Sequence, residues 1–273
     1  MKVGLFIPCY IDQFYPQVGI ATYQLLEKLG VKADFPRQQT CCGQPMANTG
    51  CEQDAKPVYR HFVDTFSKYD YVVAPSGSCV YHVRKHYDVV EQTGAVQHVR
   101  QSTYDLFDFI TTVLGVTELP GRFPHQVGLH LSCHGQRGLH QANESEMTPV
   151  REGQLSRLLR SIDGLTLTEL NRNDECCGFG GTFCITEEAV SARMGQDRVQ
   201  DHLLNGTQVL TGGDMSCLMH LEGIVRRRQL PMRVMHAAEI FNAALDGVAR
   251  TSVRVGLNDA NGTTEERPIK VTI

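Results

Sequence analysis

The residues of this 273-residue chain best able to do chemistry are its ten cysteines, and their spacing is ordered. They fall into two sets of five, each reading as a single residue, a vicinal pair, an extra residue and a further single residue. Cys9, Cys41, Cys42 and Cys79 recur in the second half as Cys133, Cys176, Cys177 and Cys217, with Cys51 and Cys184 as the extras. The flanks recur with them. Val3-Gly4-Leu5 precedes Cys9 by the same interval at which Val127-Gly128-Leu129 precedes Cys133, Gly43 and Gly178 follow the two pairs, and Cys79-Val80-Tyr81-His82 is matched by Cys217-Leu218-Met219-His220. Equivalent cysteines lie 124, 135 and 138 residues apart, so the second half carries insertions between motifs. Three matches in the same order mark an internal duplication.

Four thiolates at one site suit zinc or an iron–sulfur cluster. A structural zinc site usually draws on C-x₂₋₄-C pairs, whose tight turn sets half the tetrahedron. Adjacent cysteines do this badly, because their side chains diverge, and they reach more readily to different irons of a larger cluster. Gly43 and Gly178 remove a side chain just after each pair, which lets backbone N–H groups approach an inorganic core. The pattern favours iron–sulfur, with zinc as the alternative; buried thiols that merely fill a core explain single cysteines but not a duplicated set. Cys51 and Cys184 stand nine and seven residues beyond the pairs, outside the shared register, and are not expected to be ligands. His82 and His220 are possible additional ligands, against the plainer role of packing near the thiols.

The elements that position these residues follow from apolar periodicity. Val3 to Ile7 reads as a buried strand, and Val18, Ala21, Leu25, Leu26 and Leu29 recur at helical spacing until Gly30. Val31 to Phe35 is predicted as the next strand, Ala55, Val58, Phe62 and Phe66 mark a helix, and Tyr71 to Ala74 delivers Cys79. Val127 to Leu131, Leu165 to Leu170 and Thr207 to Thr211 repeat the strand order ahead of Cys133, Cys176 and Cys217. Alternating strands and helices imply right-handed βαβ units. The expected fold is α/β, with two tandem duplicated Rossmann-like units, mostly parallel sheets and a pseudo-twofold relation between them. Every cysteine motif then lies on a carboxyl edge, where open α/β sheets bind ligands. Pro120-Gly121-Arg122-Phe123-Pro124 reads as a linker, so the expected domains are 1–119, 120–246 and a polar C-terminal extension, 247–273, with a turn at Asn258 to Gly262 and a short strand at Ile269 to Ile273. In the helix near the end of the second unit, Glu239 and Phe241 are expected to echo Asp105 and Phe107.

Cys…Cys-Cys-Gly…Cys, present twice, resembles the CCG cysteine-rich domain of the heterodisulfide reductase B-type subunit and of the iron–sulfur subunits of glycolate and anaerobic glycerol-3-phosphate dehydrogenases. The segments Cys41-Cys42-Gly43-Gln44-Pro45-Met46, Cys176 to Phe183 and Asp214-Met215-Ser216-Cys217-Leu218-Met219-His220 are most similar to the LutA/YkgE family of lactate-utilisation proteins. The resemblance spans roughly residues 1–245. It implies an iron–sulfur protein, with two [4Fe–4S]-type clusters, that oxidises L-lactate to pyruvate together with a ferredoxin-type iron–sulfur subunit and a third lactate-utilisation subunit. One departure stands out: the heterodisulfide reductase motif ends Cys-x-x-Cys, where this chain has His82 and His220.

Other classes find little support. A net charge of −4 supplies no basic field for nucleic acid or an anionic membrane, and no apolar run approaches the 18 residues of a membrane span. Gly178-Phe179-Gly180-Gly181 has the wrong spacing for a dinucleotide fingerprint. With no flavin or NAD motif to take a hydride, the expected role is electron transfer. No catalytic residue is assigned; His134, Arg137 and His140, just beyond Cys133, are candidates to bind a carboxylate or move protons. The competing readings are a heterodisulfide-, glycolate- or glycerol-3-phosphate-type redox subunit and a non-enzymatic zinc or thiol-switch protein. Met1-Lys2 leads into only a short apolar stretch before Pro8-Cys9, too short for export, so the chain is expected to work in a reducing cytoplasm, where clustered thiols hold metal or do redox work more often than they form bridges.

Overall fold

The computed structural model describes residues 1–142, 146–147 and 152–246 in full, together with the backbone of strands Ser252–Asn258 and Thr264–Lys270. Each half opens with a short buried strand. β1 (Val3–Leu5) is flanked in its sheet by β2 (Ala33–Asp34) and β3 (Tyr71–Ala74), and β4 (Thr103–Asp105) completes the order β2-β1-β3-β4, every pairing parallel. The second half repeats this with β5 (Gln126–Leu129), β6 (Thr166–Leu167), β7 (Val209–Gly212) and β8 (Arg233–His236) in the order β6-β5-β7-β8, again all parallel. The duplicated, parallel α/β architecture expected from the cysteine repeat is therefore the observed one. β9 (Ser252–Asn258) and β10 (Thr264–Lys270) pair antiparallel with each other. The turn expected within 258–262 and the end of the strand expected at 269–273 lie largely outside the described residues.

The helices carry the apolar stripes that the strands need covered. Helices α1 (Cys9–Phe14) and α2 (Pro16–Lys28) follow β1, and α2 buries Val18, Ala21, Leu25 and Leu26 before Gly30 takes a positive φ of 74°. α3 (Gln44–Asn48) follows the first cysteine pair. α4 (Lys56–Phe66) buries Tyr59, Phe62, Val63 and Phe66, so Tyr59 rather than Val58 lies on the inner face. α5 (Gly77–His86) carries Cys79, and α6 (Gly94–Ser102) leads to β4. α7 (Leu106–Asp108) runs into a π-helical turn. In the second half α8 (Gln154–Arg160), α9 (Phe183–Thr186), α10 (Glu188–Leu204), α11 (Met215–Arg227) and α12 (Ala237–Asp246) play the corresponding parts.

The two halves share one core. Leu25 and Leu26 of the first half bury with Ile240 and Phe241 of the second, while Phe107 and Ile110 bury with Leu158 and Leu159. Lys28 of α2, nearly buried, reaches the carbonyl of Asn242 at 3.1 Å and the carboxylate of Asp246 on α12. Ser76 and Asp214, which precede α5 and α11 at matching places, meet in a backbone bridge. This contact sits where an approximate twofold axis would pass. The structure also corrects one expected equivalence. Asp105 ends β4 and accepts the N–H of Phe107, and it is His236, at the end of β8, that accepts the N–H of Ala238 in the same way. Glu239 instead accepts the backbone N–H of His236.

Candidate metal centre

Each strand end feeds a cysteine into the same space. Cys9 begins α1 just beyond β1, Cys41 and Cys42 lie between β2 and α3, and Cys79 sits in the first turn of α5, where the Ser76 side chain accepts its N–H. The second half places Cys133, Cys176, Cys177 and Cys217 likewise, and Asp214 caps α11 by accepting the Ser216 N–H at 3.2 Å. All eight line one cavity of about 340 Å³ between the halves. Residues more than 30 apart in sequence thus converge because parallel crossovers return every strand in the same direction. Cys51, which is exposed, and Cys184, whose Sγ donates to the Gly181 carbonyl, are not among its lining residues.

The two sets share a local geometry. Gly43 and Gly178 have φ of 88° and 87°, a conformation that strains any residue with a Cβ, and the turn points each N–H back at the first cysteine of its pair. Gly43 N–H donates to Cys41 Sγ and Gly178 N–H to Cys176 Sγ, both at 3.4 Å. Cys9 Sγ lies 3.7 Å from Cys41 Sγ. Hydrogen bonds from Cys42 and Cys9 draw the Cys41 thiol down to about 3, and those from Cys133 and Cys177 draw Cys176 down to about 2. The donors themselves, Cys9, Cys42, Cys133 and Cys177, are pushed up, first by those bonds and then by burial. In each set the first cysteine of the pair is thus the one whose thiolate its neighbours' hydrogen bonds favour. A donor set of clustered soft thiols on an enclosed face fits a metal or iron–sulfur group.

The remaining candidates take other positions. His82 is fully buried, its Nε2 3.0 Å from the Tyr59 hydroxyl, and burial lowers its pKa to about 3. His220 directs Nε2 to the Ser191 carbonyl at 3.3 Å. His134 lines the cavity, Arg137 pairs with Asp174 at 3.7 Å, and His140 adopts a positive φ of 55° on the loop beyond.

Sequence patterning missed one group. His130, 2% exposed, lies just beyond β5, and its donor atom, Cys177 Sγ and Cys217 Sγ all fall within 4.8 Å of one another. Arg198 Nε donates to His130 Nδ1 at 3.3 Å, and the guanidinium also meets Asp201 at 3.4 Å. Burial, followed by Arg198, lowers the His130 pKa to about 3. The signal that could have revealed it was the repeat itself, since His130 stands where the first half has Phe6.

The CCG cysteine-rich domain pattern matches this chain twice, over residues 3–84 and 127–222. The chain is 39% identical to lactate utilization protein A of Halalkalibacterium halodurans over 89% of its own length and 97% of that protein. The chain belongs to the lactate utilization protein A family of CCG cysteine-rich proteins. Its similarity to the Bacillus subtilis member, also 39%, covers 89% of the chain and all of that protein. Among solved structures, a hypothetical protein from Helicobacter pylori shares the fold with a TM-score of 0.63 at 11% identity. That likeness covers 91% of this chain and about half, 49%, of the other. In this family member the duplicated cysteine motif and the eight-thiol cavity thus coincide. Among the described residues no helix is long and apolar enough to cross a membrane.

Proposed function

We propose that this protein is an iron–sulfur redox subunit that takes part in lactate utilisation, oxidising L-lactate to pyruvate together with partner subunits in the cytoplasm. The observation that carries the reading is the meeting of eight thiols, four from each repeat, on one cavity. Cys9, Cys41, Cys42 and Cys79 would hold one cluster and Cys133, Cys176, Cys177 and Cys217 a second, each of [4Fe–4S] type. Such a group, when bound, accepts and releases one electron at a time. Lactate gives up two electrons and two protons, so two one-electron centres at one cavity match its demand.

The chain's own residues set the terms of binding. The thiolates favoured at Cys41 and Cys176 supply negative charge for iron, and the Gly43 and Gly178 N–H groups stay directed at the same sulfurs. His82 and His220 commit Nε2 elsewhere, to the Tyr59 hydroxyl and the Ser191 carbonyl. The family relationship supports partner subunits, of which a ferredoxin-type iron–sulfur protein is the expected electron acceptor and a third lactate-utilisation protein the other component.

A second reading has a specific observation in its favour. A zinc ion with Zn–S bonds of about 2.3 Å has sulfurs about 3.8 Å apart, close to the 3.7 Å between Cys9 and Cys41. The cavity, however, is far larger than a single ion requires. Anaerobic purification of the full chain separates the two readings: about eight iron and eight acid-labile sulfide per chain are expected for two [4Fe–4S] clusters, whereas stoichiometric zinc without sulfide would select the other. The lactate assignment is tested separately, since a deletion strain is expected to lose growth on L-lactate and to keep it on glycolate or glycerol.

A further inference from the structure

Behind the second set of thiols the protein buries a polar group that the first set lacks. Arg198 donates Nε–H to His130 Nδ1. A guanidinium has donors only, so Nδ1 must carry the lone pair and the ring hydrogen of neutral His130 resides on Nε2. Nε2 is buried with no hydrogen-bond partner among the described residues, although an unsatisfied buried donor costs about 1–3 kcal/mol. One ring nitrogen of His130 lies within 4.8 Å of Cys177 Sγ and Cys217 Sγ, and with Nδ1 engaged by Arg198 only Nε2 has a hydrogen to offer there. A ring nitrogen that carries hydrogen can donate to sulfur but cannot bind a metal.

At the place of His130 the first half has no donor. Phe6 stands in place of His130, and its ring packs on Phe62 at 4.9 Å and Phe66 at 5.8 Å. The formal charges behind the second set largely cancel, Arg198 against Asp201 and Arg172 against Glu175. A further bond, from Phe179 N–H to Cys177 Sγ at 3.5 Å, has no first-half counterpart among the described residues. Hydrogen bonds to the sulfurs of an iron–sulfur group stabilise its more negative, reduced state and so raise its potential.

We propose that His130 donates its Nε2 hydrogen to a sulfur of the group held by Cys133, Cys176, Cys177 and Cys217, and thereby makes the second centre the easier of the two to reduce. The inference rests on the iron–sulfur reading above. One electron leaves the reduced first centre and reduces the second, with no proton transferred, so electrons collect on the second repeat. Arg198 is a positioning residue that fixes the tautomer.

The test is an anaerobic redox titration of the full, cluster-loaded chain followed by EPR, each centre being assigned by its loss in Cys41→Ser or Cys176→Ser. In the wild-type chain the second centre is expected to reduce first. His130→Phe, which installs the first-half residue, is expected to shift the electron distribution at least tenfold toward the first centre, equivalent to 59 mV for a one-electron couple. His130→Gln, which keeps an N–H, is expected to retain most of the wild-type difference. An unchanged second centre in His130→Phe, or a first centre that reduces first in the wild type, overturns the assignment while leaving the clusters themselves established. A wild-type chain without iron and sulfide overturns the iron–sulfur reading as well. Should His130→Phe fail to fold or load, ¹⁵N-histidine labelling of the wild type decides: a weak nitrogen coupling at the second centre alone is expected, and no coupling, or one of directly bound imidazole, overturns the proposal.

Discussion

Behind Cys9, Cys41, Cys42 and Cys79 the protein packs Phe6, Phe62 and Phe66 in edge-to-face and tilted contacts; behind Cys133, Cys176, Cys177 and Cys217 it buries His130, Arg198 and His202 at the matching places. The correspondence follows the repeat. His130 lies 124 residues after Phe6, and Arg198 and His202 each lie 136 residues after Phe62 and Phe66 on the equivalent helix. Both versions fill the gap between sheet and helix, but the aromatic one needs only contact, whereas every polar atom in the other needs a partner. Apart from Ser102 Oγ, the buried side-chain polar atoms without partners among the described residues all belong to the second half, His130 Nε2, Arg198 Nη2 and His202 Nε2 among them. The placement of the thiols is therefore common to both repeats, whereas the medium behind them is apolar in the first and polar in the second.

The sharpest way to break this comparison is to place the same residue at both helix positions. Arg198→Met leaves the buried Asp201 carboxylate without its cation and is expected to cost about 3–5 kcal/mol. Phe62→Met exchanges one apolar side chain for another and is expected to cost about 1.5 kcal/mol or less. Denaturant midpoints at constant slope measure both; equal losses would mean that the two cores are not different in kind.

Acid and base dependence should separate the halves next. Burial pushes Asp105 up from 3.8 to about 7, so its contribution is full below pH 3.8 and is lost as pH rises through 7. Burial lowers His236, at the matching strand end, from 6.5 to about 4, so its contribution is present above pH 6.5 and is lost as pH falls through 4. The effects are on the order of 4 kcal/mol for Asp105 and 3 kcal/mol for His236. Asp105→Asn is expected to flatten the stability profile between pH 4 and 7 on the side that declines upward, and His236→Gln to flatten the decline toward acid. Profiles with unchanged slopes would remove these groups from the account.

The smallest contrast lies at the two helix caps near the axis. Ser76→Ala is expected to cost about 1 kcal/mol, the usual value of a lost cap. Asp214→Ala is expected to cost about twice that, because Asp214 also accepts Ser78 N–H from the other half at 2.7 Å. Thermal shifts of the two variants give the ratio, and parity would show that the cross-half bond contributes nothing.

Much of this was legible in the sequence, for definite reasons. A parallel sheet buried on both faces leaves short apolar runs, and Tyr71 to Ala74 coincides with the observed strand. The runs Val31 to Phe35 and Leu165 to Leu170 yielded only Ala33–Asp34 and Thr166–Leu167, because these edge strands each pair with a single neighbour. The cysteine register located the cavity without any structure, since ligand-type residues at strand ends must converge in a parallel fold. His130 and Arg198 escaped because a contact across 68 residues leaves no local period. His236 escaped for a different reason: an imidazole and a carboxylate can cap the same turn, so matching by residue type selected Glu239 instead.

Each repeat is proposed to hold one iron–sulfur group on its own four thiols. Quantitative EPR of the reduced, anaerobically purified full chain, beside Cys41→Ser and Cys176→Ser, tests it most directly. Two spin systems are expected in the wild type, with a different one lost in each variant and iron and sulfide falling by about half. A signal that neither substitution alters, or protein that carries zinc without sulfide, would contradict it.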